Sequence, residues 1–123
     1  MYNQKTKIAV VGVSADPEKY GHKIFRDLLA NNYNVVGVNP KAGLILDQPI
    51  FPDLAHLSEL PELVITVVPP DITLQIVQHC HELGIKNIWM QPGSDSPEAV
   101  QKAQQFGITV TWGKCFMKAQ GIW

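Results

Sequence analysis

Short β-branched runs, each closed by a glycine or a proline, alternate along this chain with segments whose apolar residues recur three and four apart. A strand, a crossover helix and a second parallel strand produce that rhythm, so the chain reads as linked βαβ units. The first run, Ile8 to Val11, shows no polar alternation, as expected of a strand buried on both faces, and Gly12 ends it. Ile24, Phe25, Leu28 and Leu29 then put one apolar face on a helix from about Tyr20 to Asn32, with Asn31 and Asn32 as its stop. A second strand, Asn34 to Val38, contains Gly37, a sign of close backbone approach, and ends at Asn39-Pro40. From Lys41 to Pro61 the pattern loosens, and Leu44 to Phe51 reads as one short edge strand limited by Pro49 and Pro52.

Leu63 to Val68 is the next buried strand, stopped by Pro69-Pro70, after which Asp71 is expected to cap a helix. That helix carries Ile72, Ile76, Val77, Cys80 and Leu83 on one side and ends at Gly84, a residue suited to a left-handed terminal position. Asn87 to Met90 is a further strand. Ser94-Asp95-Ser96-Pro97-Glu98 has the capping side chain, early proline and early acid of a helix start. Ala99, Val100, Ala103 and Phe106 form the inner face, Gly107 closes the helix, and Ile108 to Thr111 is the last strand. Short loops and right-handed crossovers favour a doubly wound parallel α/β sheet in three α/β/α layers. Ligands in such a sheet sit outside the carboxyl ends of the strands. The loops of interest are therefore 12–21, 39–43, 68–71, 91–95 and 112–117.

Composition limits what those loops serve. With 123 residues, 46% hydrophobic and 17% charged, the chain suits a single domain spanning 1–123. A formal charge of -1 gives no broad positive field, which disfavours non-specific nucleic-acid binding. Cys80 and Cys115 are too few for a disulfide framework and form no CxxC pair. The polar start and the lack of any run of ~18 apolar residues point to a soluble protein of the reducing cytoplasm, with no membrane partner.

The loop after the first strand, Gly12-Val13-Ser14-Ala15-Asp16-Pro17, occupies the position of a phosphate loop, yet it is neither GxGxxG nor GxxxxGK. Gly12 is expected to let a ligand approach the main chain and Ser14 to add a hydroxyl; a plain strand-to-helix turn reads the same way. At the end of the second strand an NAD site wants an acid for the ribose hydroxyls, and the chain offers Asn39-Pro40-Lys41 instead. Lys41 suits a phosphorylated ribose, as in NADP or coenzyme A, against the alternative of an ordinary solvated lysine. Pro69-Pro70 removes two donors and makes a stiff apolar wall, while Gln91-Pro92-Gly93 offers an amide and a flexible turn.

No metal site is legible: His79 and His81 diverge on a helix, and His22 and His56 lie far away in sequence. Cys80 falls on an apolar helical stripe. Cys115 stands beside Lys114, which favours a thiolate, but no histidine partner or Ser-His-Asp spacing accompanies it.

Taken together, Ile8 to Ser14, Val36 to Pro40, Val67 to Pro70, Ile88 to Gly93 and the late Cys115 resemble the CoA-binding domain family over nearly the whole chain. The likeness is closest to its small stand-alone members. It extends more distantly to the amino-terminal Rossmann-like domain of the succinate-CoA ligase alpha subunit. The resemblance implies a strand order of 3-2-1-4-5-6 with a short third strand. It also implies cofactor contacts at Gly12, Val13, Ser14 and Ala15, at Asn39, Pro40 and Lys41, at Val68, Pro69 and Pro70, and at Gln91 and Pro92. The chain departs from the ligases in having Asp16-Pro17 where they carry a second nearby glycine. Their phosphorylated histidine lies in another domain.

The expectation is a module that binds coenzyme A or an acyl-CoA without catalysis of its own. The alternatives are an NADP-linked enzyme subunit needing a catalytic partner chain, and an interaction module with a vestigial pocket. The apolar tail, Phe116 to Trp123, is expected to dock on its own core, with a homodimer as the other solution.

Overall fold

The computed structural model describes residues 2–123. Strand β1, Lys7–Val11, is the centre of the sheet, and its alternate residues face two different cores. Ile8 and Val10 pack with Ile24, Phe25 and Leu28 of helix α1, Tyr20–Ala30. Ala9 and Val11 share the opposite face with Ile76, Val77 and Cys80 of α2, Pro70–Leu83, and with Ala99 and Ala103 of α3, Pro97–Gln105. Helices therefore cover both faces of the sheet, as the uniform apolar strands require.

The remaining strands are β2 (Asn34–Val38), β3 (Gly43–Ile45), β4 (Gln48–Phe51), β5 (Leu63–Thr66), β6 (Asn87–Met90) and β7 (Thr109–Thr111). They form one seven-stranded sheet in the order β3-β4-β2-β1-β5-β6-β7. All neighbours pair in parallel except β3 with β4. The doubly wound three-layer architecture is the expected one. One detail of its strand order is corrected: the single short third strand is a hairpin of two. The hairpin turns at Leu46 and Asp47, with φ of 53° and 62°. Such a turn puts Pro49 opposite Leu44 on the outer pair, while Ile50 and Phe51 pair with Gly37 and Val38 of β2.

Other boundaries shift slightly. β5 stops at Thr66, leaving Val67 and Val68 in the following loop. α2 begins at Pro70 with Pro69 at the cap position, so Asp71 lies in the first turn and is not the cap. Its carboxylate there complements the positive end of the helix dipole. Ser96 does cap α3, its hydroxyl accepting from the Ala99 N–H at 3.1 Å. Gly84 ends α2 at φ 81°, as a left-handed terminus requires. A last short helix, α4, covers Phe116–Ala119. No described helix is long and apolar enough to cross a membrane.

Candidate functional site

The connections leave β1 and β5 toward opposite faces, so the sheet's switch point lies where these two strands end. Gly12 sits there at φ 109°, and a Cβ on it would stand 2.3 Å from the Val67 carbonyl oxygen. A Cβ on Gly21, in the first turn of α1, would stand 2.0 Å from the Gly12 oxygen. These glycines lock the first loop between β5 and α1. The space that the missing Gly12 side chain leaves is taken by Val67 and Val68.

The open donors lie just beyond. Among the described residues, the N–H groups of Ser14 and Ala15 have no intrachain acceptor. The Ser14 hydroxyl accepts from Asp16 N–H at 3.1 Å, which leaves its own hydrogen to donate outward. Its carbonyl accepts from Nδ1 of the buried His22 at 2.9 Å, fixing the loop from beneath. Asp16 and Glu18 are exposed, and the Asp16 carboxylate accepts from the Glu18 N–H at 3.0 Å.

One strand away, Asn39 ties the β2 loop to the first loop. Its side-chain amide donates to the Val13 carbonyl at 2.7 Å, and its side-chain oxygen accepts from the Lys41 N–H at 2.8 Å. Lys41 itself is exposed and, among the described residues, pairs with no carboxylate. Beyond β5, Val68 is half-buried while Pro69 and Pro70 are exposed. The two prolines give the start of α2 no N–H at its first positions, so this edge is an apolar wall and not an anion cradle.

Gln91, at the end of β6, is buried and holds the tail. Its Oε1 accepts from the Phe116 N–H at 2.7 Å, and its Nε2 donates to the Cys115 sulfur at 3.3 Å. One Nε2 hydrogen is left over. The tail docks on its own chain, as expected. Phe116 and Met117 are fully buried, and the Trp123 indole N–H donates to the Asp27 carboxylate at 2.7 Å. The Trp123 ring lies against Tyr20 with centroids 6.2 Å apart.

Between α1 and the tail this docking leaves a partly open cavity of about 310 Å³. Tyr20 and Ile24 line it from α1, Val67, Gln91 and Pro92 from the strand ends, and Cys115, Lys118 and Trp123 from the tail. Of the residues singled out in the sequence, Gln91 and Pro92 thus reach the cavity. Residues 12–15, 39–41 and 68–70 follow the strand ends beside it and are not part of its lining. Tyr20 and Cys115 lie in loops that the topology had singled out, Val67 in a stretch that carries the resemblance, and Lys118 and Trp123 in the apolar tail, whereas Ile24 was legible as part of a buried helix face and not as a cavity wall.

The remaining titratable groups offer little chemistry. Burial pushes the Cys80 thiol up to about 12, which leaves it unreactive. Among the described residues no group of three or more His, Cys, Asp or Glu is placed to hold a metal.

The family model for a CoA binding domain matches residues 6–120. The chain is 30% identical over 92 residues to the alpha subunit of an ADP-forming acetate–CoA ligase I from Pyrococcus furiosus, covering 70% of this chain and 20% of that one. It spans 15% to 26% of the length of the curated ligases it matches. Among solved structures, a conserved hypothetical protein from Pyrococcus furiosus superposes with a TM-score of 0.89 at 34% identity, covering 93% of this chain and 98% of that one. A dinucleotide-forming acetyl-coenzyme A synthetase from Ca. Korarchaeum cryptofilum, in its apo form, superposes with a TM-score of 0.75 at 27% identity. It is matched over 87% of this chain and 26% of its own.

Proposed function

The chain belongs to the CoA binding domain family, and on that premise we propose that it holds coenzyme A or an acyl-CoA along the carboxyl ends of its central strands. The observation that carries this reading is Lys41, exposed and unpaired at the end of β2, one strand from the open amides of Ser14 and Ala15. The lysine would meet the 3′-phosphate of the ribose. The amides and the Ser14 hydroxyl would take the diphosphate, because backbone N–H groups beside a helix start are suited to anions. Val68, Pro69 and Pro70 would face the less polar pantetheine arm.

Holding, without transformation, is the task assigned to this chain. Among the described residues Cys115 has no base beside it that would activate it: its sulfur meets only the Gln91 amide. A catalytic partner chain would supply any acyl transfer, as befits similarity to a protein that is itself an alpha subunit.

Isothermal calorimetry with CoA, dephospho-CoA and NADPH tests the reading. CoA is expected to bind about tenfold more tightly than dephospho-CoA, the low end for a charge-assisted contact at an exposed site. Lys41→Ala is expected to erase that preference and leave binding in place. Absence of CoA binding, equal affinity for CoA and dephospho-CoA, or tighter binding of NADPH would each overturn it.

A further inference from the structure

The cavity between α1 and the tail lies outside the stretch that would grip the nucleotide, and its position follows from the order of strands. Neighbouring strands stand ~4.8 Å apart, so β2, β1, β5 and β6 form successive steps along one edge. A ligand anchored at Lys41 and crossing the first loop arrives at the ends of β5 and β6. Val67, Gln91 and Pro92 open into the cavity there. We infer that this cavity receives the acyl end of a short-chain CoA thioester, so that the protein prefers such thioesters to free CoA. The inference rests on the CoA reading above and adds the substrate class to it.

Size and chemistry agree with that occupant. Small-molecule sites run from ~300 to 1,000 Å³, so a space of about 310 Å³ takes one end of a large cofactor and not the whole of it. Tyr20, Ile24, Val67, Pro92 and Trp123 give it apolar walls suited to an alkyl chain. Its polar members are donors suited to a thioester carbonyl: the spare Gln91 amide hydrogen and the Lys118 ammonium. Among the described residues no Asp or Glu lines it, and Lys118 disfavours a cationic guest.

Calorimetry with CoA, acetyl-CoA, butyryl-CoA and palmitoyl-CoA is the test, on the wild-type chain and on two variants. A buried methylene strengthens binding about fourfold, so butyryl-CoA, with two more of them, is expected to bind about fifteenfold more tightly than acetyl-CoA, with no further gain for palmitoyl-CoA. Cys115→Phe, which fills the cavity, is expected to remove the butyryl preference and leave CoA affinity unchanged. Trp123→Ala, at the exposed chain end, widens the cavity and is expected to move the optimum to a longer chain. Equal binding of CoA and the short thioesters, or a butyryl preference that survives Cys115→Phe and an optimum unmoved by Trp123→Ala, overturns the acyl cavity and leaves the CoA reading standing. Failure of CoA and all thioesters to bind overturns both.

Discussion

At the level of single residues, two side chains tie the carboxyl-end tail to the rest of the chain. Gln91 satisfies the buried N–H of Phe116 from 25 residues away, and Asp27 anchors the terminal indole. Gln91→Leu keeps the bulk and removes the acceptor, so urea unfolding is expected to show a loss of about 1–3 kcal/mol, the cost of a buried unpaired donor. The Asp27 carboxyl is held below the usual carboxylate range, first by its hydrogen bond from Arg26 and also by that from Trp123. A lowered folded pKa means that this contribution is complete above the ordinary carboxylate range and is lost as pH falls through the lower folded value. Acrylamide quenching of tryptophan fluorescence is therefore expected to rise below about pH 4, and to be raised already at pH 7 in Asp27→Ala. Sequence reading singled out Gln91 as a polar loop residue but could not see its partner, because a hydrogen bond across 25 residues leaves no local pattern. Gly12 was legible as a special position, but the packing that requires a glycine there was not. Its φ and its contact with the Val67 carbonyl are consequences of tertiary packing.

At the level of elements, legibility followed how local the signal was. β1, β5 and β6 are uniform apolar runs, and the capping of α3 by Ser96 and the end of α2 at Gly84 are written in adjacent residues. The β3-β4 hairpin was read as one strand because its turn, Leu46-Asp47, begins with a leucine, which normally avoids positive φ, where Asn-Gly would have announced it. That mismatch predicts an available gain. Leu46→Asn combined with Asp47→Gly relaxes both turn positions and is expected to raise the unfolding free energy by about 1 kcal/mol, read as a higher urea midpoint at unchanged slope. The tail helix α4 was expected only as an apolar terminus, since four residues carry too little periodicity to announce a helix.

At the level of the whole molecule, the doubly wound sheet sets where a ligand belongs before any residue is considered. Parallel strands ending together, with crossovers parting at β1 and β5, leave a crevice on one edge. The loops that border it were legible because topology alone points to them. The cavity beneath the tail was not, since α1, two strand ends and the last residues of the chain build it jointly. The opposite edge has its own cleft of about 70 Å³, lined by Asn34, Ser58 and Glu59 among others, and it provides a built-in control. The most direct measurement is a titration of the isotope-labelled chain with CoA, followed by amide ¹H–¹⁵N correlation spectra. The amides of Ser14, Ala15, Lys41 and Gln91 are expected to shift together and saturably. Spectra unchanged by CoA, or shifts confined to Asn34, Ser58 and Glu59, would contradict the assignment of the ligand to this edge of the sheet.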